Sequence, residues 1–600
     1  MARTVSDFLV QRLAAWGVDC VFGYPGDGIN GVLGALQRHE AQDRRVRFVQ
    51  ARHEEMAALM ACGYAKFSGR VGVCLATSGP GAIHLLNGLY DAKMDHAPVV
   101  AIVGQAARTA IGGDYQQEVD LASLFKDVAH EYVHTIMSPE AARHVIDRAI
   151  RIAYAERTVT CVIVPKDIQE AAAVPVPPHE HDTVHTSVGY APAHVTPSET
   201  ELKRAADVLN AGERIAMLVG AGAAQAAEEV MAVAERLRAG VAKALLGRAV
   251  LADDLPYVTG AIGLLGTRPS YDMMRDCDTL LVVGSSFPYG EFLPKEGHAR
   301  GVQVDIDGRF VGLRYPMEVH LVGDARDTLR ALLPLLRPTQ QSAHEGARHE
   351  WRARIEGSVA EWWELMNERA LEPANPINPQ RVFSELSPRL PNGCILTADS
   401  GSAANWFARN LKLRPSMMAS LSGSLATMGC AVPYAIAAKF AHPDRPVIAL
   451  VGDGAMQMNG NAELLTAFRH RKEWSDPRFI VAVLNNGDLN EVTWEMRAMA
   501  GDPRFAASQD LPPFPYAAYA SMIGMRGIRV DRPEDVGDAW ETALAAKGPV
   551  LLEMMTDPDV PPLPPHITLK QAKAFGASLL EGDSEKGGVL RRTWRQLFAG

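Results

Sequence analysis

Short apolar runs alternate with amphipathic, helix-like stretches along the whole chain. Many of these runs end in Gly or Asp, as buried strands do where they lead into a turn and a crossover helix. The clearest runs lie at residues 71–76, 98–104, 160–164, 215–220, 280–284, 302–306, 394–397, 446–451, 479–484 and 550–554. This alternation is typical of parallel sheets. It predicts an α/β fold built from three doubly wound parallel-sheet domains.

Pro-rich and polar segments separate three blocks of such runs. A Pro-rich stretch at 174–178 leads into a polar segment that ends near Ser198, which is typical of a linker. A charged segment over 339–376 separates the second block from the third. We predict a first domain over residues 1–175, a middle domain over 196–338, a third domain over 376–560 and a C-terminal tail over 561–600.

Two apolar runs of the third block end in residues that suit a metal ion. One run leads into Gly-Asp-Gly at 452–454, and the next leads into Asn-Asn-Gly-Asp at 485–488. Parallel sheets bind ligands at the carboxyl ends of their strands, and Mg²⁺ prefers oxygen ligands together with phosphate oxygens. Asp453 supplies charge, Asn486 a neutral carbonyl oxygen, and the backbone at Asp488 a third oxygen. Either turn alone could be an ordinary β–α turn, but the pair predicts a metal–diphosphate site.

The Gly-Asp-Gly segment followed by the Asn-Asn pair resembles the binding motif of thiamine diphosphate enzymes. The resemblance covers nearly the whole chain, in the family's order of pyrimidine-binding, middle and diphosphate-binding domains. It implies the thiamine diphosphate-binding fold, with thiamine diphosphate and Mg²⁺ as cofactors. It also assigns the diphosphate contacts to Gly452, Gly454 and Ala455, and the metal ligands to Asp453, Asn486 and Asp488.

The first block contains segments that resemble the family's other half-site. Arg52-His53-Glu54-Glu55 matches the family's Arg-His-Glu segment, which implies that Glu54 is the carboxylate that activates the pyrimidine ring of the cofactor. The same resemblance implies cofactor contacts at Pro25, Gly26, Thr77 and Asn87. Without the resemblance, Glu54 and Glu55 would only favour a helix N-terminus.

A segment at 422–429 resembles the part of the family that supports the bent cofactor. The match implies that Met428 is the apolar wedge beneath the cofactor and that the carbonyl of Ala426 faces the aminopyrimidine. The alternative is a methionine that fills core space, which is its usual role. In this family the Glu and the metal site come from different subunits. The resemblance therefore implies a homo-oligomer, a dimer or tetramer, with active sites at the subunit interface.

The middle block resembles the FAD-binding domain of pyruvate oxidases and quinone-linked pyruvate dehydrogenases. An acidic residue at a strand end can bind ribose hydroxyls, whereas the Gly-Ala-Gly at 220–222 is a weak dinucleotide fingerprint because Gln225 takes the third Gly position. The alternatives are a middle domain that binds no nucleotide or a different one. The residues implied in FAD binding are Gly284, Phe287, Asp305, Asp307 and Asp324.

Two further residues bear on the reaction. Gln117 matches the family's active-site amide, although Gln116 stands where the family has Phe. Glu495 follows the Asn-Asn pair at the distance where pyruvate oxidases carry an active-site acid, and the alternative is an exposed helix face.

We therefore expect an enzyme that decarboxylates pyruvate or a similar 2-oxo acid, with FAD-linked oxidation of the resulting enamine and transfer of electrons to oxygen or a quinone. The alternative is a carboligase of the acetolactate synthase type, with structural or no FAD. A non-catalytic relative is the third hypothesis. It is disfavoured because Glu54, Asp453 and Asn486 are all present.

Composition and charge exclude some partners. The formal net charge is −10, which argues against a nucleic-acid partner. Seven cysteines without a Cys-x-x-Cys pair favour a reducing compartment, and we expect a cytoplasmic protein. Apolar runs are too short for a membrane span. The basic tail near 589–598 has interleaved apolar residues and is short, which favours a packed terminal helix, and weak peripheral contact with a membrane is the alternative.

Overall fold

The computed structural model describes residues 3–42, 46–562, 574 and 578, and within them it contains three six-stranded sheets. The strand pairs in each sheet are parallel. This confirms the predicted α/β fold class. Most of the predicted C-terminal tail, residues 561–600, lies outside the described residues, so its packing and its membrane contact stay predictions.

The first sheet has the strand order β2-β1-β3-β4-β6-β5. Its strands are β1 (Cys20–Gly23), β2 (Arg47–Gln50), β3 (Gly72–Ala76), β4 (Val99–Gln105), β5 (Val133–Thr135) and β6 (Val159–Pro165). Its helices are α1 (Val5–Ala15), α2 (Asn30–Glu40), α3 (Glu54–Ser68), α4 (Pro80–His84), α5 (Leu86–Met94), α6 (Leu121–Leu124), α7 (Ala142–Glu156) and α8 (Lys166–Glu170). Strands β4 and β6 are buried throughout, because helices cover both faces of the sheet.

The second sheet has the order β12-β11-β10-β7-β8-β9. Its strands are β7 (Ile215–Val219), β8 (Gly240–Lys243), β9 (Val258–Ala261), β10 (Thr279–Val283), β11 (Arg300–Asp305) and β12 (Val319–Val322). Its helices are α9 (Glu199–Ala211), α10 (Ala227–Leu237), α11 (Arg268–Asp276) and α12 (Ala325–Leu332). A long helix, α13 (Glu345–Ala370), follows and leads to the third sheet.

The third sheet has the order β14-β13-β15-β16-β18-β17. Its strands are β13 (Ile395–Ala398), β14 (Met418–Ser420), β15 (Val447–Gly452), β16 (Phe479–Asn485), β17 (Arg526–Val530) and β18 (Val550–Met555). Its helices are α14 (Pro379–Leu386), α15 (Ser402–Asn410), α16 (Ala431–Ala441), α17 (Asp453–Ala455), α18 (Asn461–His470), α19 (Asn490–Glu495), α20 (Ala506–Gln509), α21 (Tyr516–Met522) and α22 (Val536–Leu544). In the register of β15 and β16, Gly452 pairs with Leu484, so both strands end at the same edge.

The first and third sheets share one apolar core. Helices α3 and α16 pack so closely that a Cβ on Gly63 would lie 3.0 Å from the Cα of Tyr434. The backbone N–H of Arg52 also donates to the Glu463 carboxylate across the junction, at 2.6 Å. The main apolar cluster of the middle sheet is separate. The first and third domains of one chain therefore form a joint body.

Candidate active site

The carboxyl ends of β15 and β16 bring Asp453 and Asn486 together. Asp453 Oδ2 accepts the backbone N–H groups of Asn486 at 2.9 Å and of Gly487 at 2.7 Å. Asp453 Oδ1 accepts the N–H of Gly454 at 2.9 Å. The Asp453 carboxylate thus fixes the turn after β16 against the turn after β15, at the edge where parallel sheets bind ligands.

The environment of Asp453 favours a cation. The residue is 3% exposed. Burial raises its pKa to about 7, three backbone N–H groups oppose that rise, and the nearby Asp488 carboxylate adds to it. A buried carboxylate beside a second one lacks compensating charge, and a divalent ion with oxygen ligands would supply it. The donor set at this edge therefore fits Mg²⁺.

The side chain of Asp488 is engaged elsewhere. Its Oδ1 accepts hydrogen bonds from Thr493 Oγ1 at 3.0 Å and from the Arg504 guanidinium at 3.0 and 3.1 Å. Its backbone N–H donates to Asn486 Oδ1 at 3.0 Å. The predicted metal contact is the backbone carbonyl of Asp488, so it does not compete with these side-chain hydrogen bonds.

Met428 lies beside the Gly-Asp-Gly turn. A Cβ on Gly454 would lie 3.3 Å from Met428 Cε and 2.6 Å from Leu489 Cδ2, whereas a Cβ on Gly452 would meet no atom within 4 Å. Ala426 has φ of 55°, a left-handed conformation that is uncommon for a residue with a side chain. Ala455 is buried directly after the turn. The predicted wedge and the predicted diphosphate loop are therefore neighbours in the structure.

The carboxyl edge of the first sheet gathers the predicted pyrimidine contacts. Glu54 is the first residue of α3, the helix that follows β2. It is 7% exposed, and its Oε2 lies 3.0 Å from His84 Nδ1. A Cβ on Gly26 would lie 2.5 Å from the Thr77 Cβ, so only glycine fits there. Pro25 precedes this glycine in the turn after β1. The first sheet thus holds a buried carboxylate at its ligand-binding edge.

Asn87 and Gln117 lie near this edge with different partners. Asn87 Nδ2 donates to Glu55 Oε1 at 2.6 Å and to Thr427 Oγ1 at 2.9 Å. Gln117 is exposed, has φ of 62°, and its Oε1 accepts a hydrogen bond from Ser78 Oγ at 3.2 Å. Asn87 therefore links the first sheet to the segment that holds Met428, and Gln117 sits beside the turn that holds Thr77.

Glycines and a buried aromatic mark the carboxyl edge of the middle sheet. Gly284 has φ of 57°, and its carbonyl accepts the N–H of Gly222 at 3.0 Å. A Cβ on Gly284 would lie 2.5 Å from the carbonyl carbon of Gly222. Phe287 is buried, and a Cβ on Gly263 would lie 3.1 Å from its ring. This edge permits a close approach of backbone segments.

The three acids predicted to contact FAD all have local partners. Asp305 accepts the N–H of Asp307 at 3.0 Å, and burial raises its pKa. Asp307 forms an ion pair with Arg309 at 2.7 Å. Asp324 caps α12 by accepting the N–H of Asp327 at 3.1 Å. Capping is a structural role that the sequence prediction for Asp324 did not include.

Glu495 is exposed at the end of α19, and a second acid of that helix was missed from the sequence. Glu491 is half-buried, and its Oε2 accepts a hydrogen bond from Asn405 Nδ2 at 2.7 Å. Burial raises the pKa of Glu491 to about 7. Its position in the first turn of α19, directly after the Asn-Asn turn, is the signal that could have identified it.

A second missed acid, Asp399, supports the segment after Met428. Asp399 is fully buried after β13 and accepts the N–H groups of Gly429 at 2.7 Å and Ala431 at 3.0 Å. Burial raises its pKa to about 6, and these N–H groups lower it. Its signal in the sequence is an acid at the end of an apolar run.

Three family models match the chain, and each overlaps one of the three sheets. The N-terminal TPP binding domain of thiamine pyrophosphate enzymes matches residues 3–124, their central domain matches 202–332, and their C-terminal TPP binding domain matches 399–554. The order of the matches agrees with the order that the sequence motifs predict.

Curated relatives align along nearly the whole chain. Bacillus subtilis (strain 168) YdaP, provisionally named a thiamine pyrophosphate-containing protein, is 34% identical over 99% of this chain and 100% of its own. The pyruvate oxidase of Lactiplantibacillus plantarum is 29% identical over 95% of this chain and 91% of its own. The large subunit of acetolactate synthase isozyme 2 of Escherichia coli (strain K12) is 33% identical over 93% and 97%.

Among the residues that the structure describes, no helix is both long enough and apolar enough to cross a bilayer.

Proposed function

Because the chain belongs to the thiamine pyrophosphate enzyme family, we propose that it decarboxylates pyruvate or a similar 2-oxo acid with thiamine diphosphate and Mg²⁺ and couples this step to FAD-linked oxidation. The observation that carries the proposal is the hydrogen bonding of Asp453 to the turn that holds Asn486, with Met428 beside the same loop. Asp453, Asn486 and the backbone of Asp488 would hold the metal. Gly452, Gly454 and Ala455 would hold the diphosphate.

Bound thiamine diphosphate supplies the carbon nucleophile and the electron sink for loss of CO₂. In our proposal Glu54 holds a proton at the pyrimidine ring nitrogen, and its burial at the N-terminus of α3 supports that role. Pro25, Gly26, Thr77 and Asn87 would line the pyrimidine side. General acid–base help of this kind is worth about 10²–10⁴-fold in rate.

Polar groups near the carboxyl edges of the first and third sheets would bind the substrate. Gln117, as an amide beside Ser78, would orient the carboxylate or carbonyl of the 2-oxo acid. Glu495 would hold a proton near the reacting carbon, and Glu491 is close enough in the chain to influence its charge. We propose that Met428 and Ala426 support the cofactor and keep water from its lower side.

We propose that two protomers complete each site. Within one chain, Glu54 bonds with His84, whereas Asp453 bonds with the turn after β16. A homodimer or tetramer would pair the Glu54 edge of one protomer with the Asp453 edge of its partner. The seven cysteines are free thiols, which supports a reducing, cytoplasmic setting.

The proposal also includes FAD binding at the middle sheet. The close approach of Gly222 and Gly284 suits a nucleotide phosphate at the middle sheet, and Asp305 ends β11 where a ribose hydroxyl could bind. The second candidate function is carboligation to acetolactate or a related hydroxy-ketone. It is favoured by the 33% identity to the Escherichia coli acetolactate synthase subunit, against 29% to the pyruvate oxidase.

One experiment separates these functions. The protein is loaded with thiamine diphosphate, Mg²⁺ and FAD, and pyruvate is added without oxygen while the flavin absorbance and CO₂ are followed. Loss of oxidised flavin absorbance with CO₂ release supports the oxidase. Acetolactate with unchanged flavin supports the carboligase. A lack of CO₂ from pyruvate and from a panel of other 2-oxo acids would contradict both.

A further inference from the structure

A buried polar cluster connects the first domain to the segment that carries Ala426 and Met428. We call Lys66, Asp91, Asp95 and Tyr434 the anchor cluster, and residues 421–430 the Met428 loop. Lys66 Nζ donates to Asp95 Oδ2 at 2.7 Å, to the Tyr434 hydroxyl at 2.7 Å and to the carbonyl of Leu421 at 2.9 Å. The Tyr434 hydroxyl in turn donates to Asp91 Oδ2. The cluster therefore begins on α3 and α5 and reaches the loop itself.

The carboxylates of the cluster hold the loop backbone directly. Asp95 accepts the N–H groups of Gly423 at 2.9 Å and Ser424 at 2.8 Å. Asp91 Oδ1 accepts a hydrogen bond from Ser422 Oγ at 2.6 Å. Ser422 Oγ in turn accepts the N–H of Thr427 at 2.9 Å. These bonds span the loop from its beginning to the residue before Met428.

The far end of the loop is held by the third domain. Asp399 accepts the N–H groups of Gly429 and Ala431 there. Between the two attachments Ala426 keeps its left-handed backbone, which only strong surrounding contacts maintain. The loop is thus fixed at both ends by buried carboxylates, one set from each domain.

Such a cluster is a costly way to stabilise a core. Asp91, Ser422 and Tyr434 are 0–1% exposed, and the Lys66 and Asp95 side chains are 10% and 0% exposed. Apolar residues of similar volume often stabilise a core equally well or better. A satisfied polar network, by contrast, specifies one arrangement of the groups it binds. The cluster therefore suits a positioning role for the loop.

We propose that Lys66, Asp91 and Asp95 are positioning residues that set the Met428 loop for the cofactor, so that the first domain of each chain prepares the metal–diphosphate half-site of that same chain. The inference rests on the proposed function. It adds a task to the first domain, which in that proposal also supplies Glu54 to the partner protomer.

The test uses Ser422→Ala, because this variant removes a hydroxyl and leaves the buried Lys66–Asp95 pair intact. Amide hydrogen exchange of the full-length apoprotein and the thiamine diphosphate Kd, from tryptophan fluorescence with saturating Mg²⁺, are measured. We expect exchange in the Met428 loop to rise about tenfold and the Kd to rise about tenfold, because the variant loses both hydrogen bonds of the Ser422 hydroxyl. Exchange in β15 and α7 should stay as in the wild type.

Three further variants complete the test. Ser422→Thr keeps the hydroxyl and should restore both values. Asp95→Asn should give a larger change than Ser422→Ala. Asp127→Asn, an exposed acid of the first domain beside Lys93, is the charge-matched control and should change neither value.

Wild-type exchange in the loop and a wild-type Kd in both Ser422→Ala and Asp95→Asn would overturn the inference. Faster exchange throughout the protein would do so too, because it would show a merely structural role. If the wild type does not bind thiamine diphosphate, the proposed function fails. Exchange in the apoprotein still shows whether the anchor cluster holds the Met428 loop.

Discussion

At the scale of single residues, the proposed chemistry depends on carboxylates placed near strand ends. Asp453 and Asp399 each follow a strand directly, Glu54 begins the helix after β2, and all three are buried. Burial disfavours the charged forms of Asp453 and Asp399, and local N–H groups or a cation must compensate. Glu54 instead lies beside His84. We therefore expect that replacing such a buried carboxylate with the corresponding neutral amide impairs its function.

Glu54→Gln should abolish most decarboxylation while the protein stays folded. The amide keeps a hydrogen bond with His84 but cannot hold the carboxylate's negative charge at the pyrimidine ring. We expect kcat to fall about 10²–10⁴-fold, measured as CO₂ release from pyruvate. Glu55→Gln is the matched control, since the neighbouring Glu55 bonds with Asn87 and should lose far less. Near-normal turnover of Glu54→Gln would remove this assignment.

At the scale of elements, the positive-φ glycine after β10 provides a test of the middle sheet. In Gly284→Ala the new Cβ would lie 2.5 Å from the Gly222 carbonyl carbon, on a backbone with φ of 57°. We expect a loss of about 2 to 3 kcal/mol in unfolding free energy from this overlap and strain. Denaturant unfolding followed by fluorescence measures it.

Gly297→Ala is the control for backbone strain alone. Gly297 has φ of 79°, but a Cβ there would meet no atom within 4 Å. It should therefore lose only about 1 kcal/mol. Equal losses of unfolding free energy in the two variants would show that the close approach of Gly284 to Gly222 does not add to the cost of the Gly284→Ala substitution.

The strands that the sequence predicts are mostly buried on both faces, although the short buried strands β1, β8 and β9 have no predicted counterpart. Strands β15 and β16 are continuous apolar runs because helices cover both sides of the sheet. The edge strands β5, β14 and β17 give no such run, because they are short and partly exposed. Their pairing depends on a neighbouring strand rather than on their own residues.

The candidate site likewise contains some contacts that the sequence predicts and others that it does not. Asp453 and Asn486 follow predicted strands, so their proximity follows from sheet geometry and could be expected from the sequence. The bond between Asp91 and Ser422 joins residues that are 331 positions apart. No local pattern marks either residue, because the contact exists only once α5 and the third domain have packed together.

At the scale of the whole molecule, Glu463 makes the junction of the first and third domains sensitive to pH. It is fully buried, and burial raises its pKa to about 7. The folded state therefore binds a proton more readily than the unfolded state. The free energy of unfolding should fall as pH rises from about 4.5 to about 7 and level off above that.

Glu463→Gln should remove this contribution, because its amide oxygen can still accept the N–H of Arg52. At pH 8 it should be about 1 to 3 kcal/mol more stable than the wild type, and at pH 4.5 nearly equal to it. Urea unfolding at both values measures this. Glu541→Gln, an exposed acid paired with Arg389, should show no such difference. A Glu463→Gln variant that is less stable at pH 8 would contradict the assignment.

The pairing of half-sites from two protomers can be tested by complementation. Glu54→Gln damages only the pyrimidine-binding half-site at the first sheet, and Asp453→Asn damages only the metal-binding half-site at the third sheet. Each variant alone should therefore be inactive. Co-expressed in equal amounts, the two chains form mixed dimers that contain one site with both groups intact. Random pairing then predicts about one quarter of wild-type activity.

Co-expression of Glu54→Gln with the Glu54→Gln/Asp453→Asn double variant is the control, because no pairing restores Glu54. It should give no activity. Recovery in the first mixture alone would mean that Glu54 and Asp453 act across the subunit interface. If one chain supplied both groups, every protomer in both mixtures would carry a damaged site, and neither mixture would exceed the activity of its separate variants.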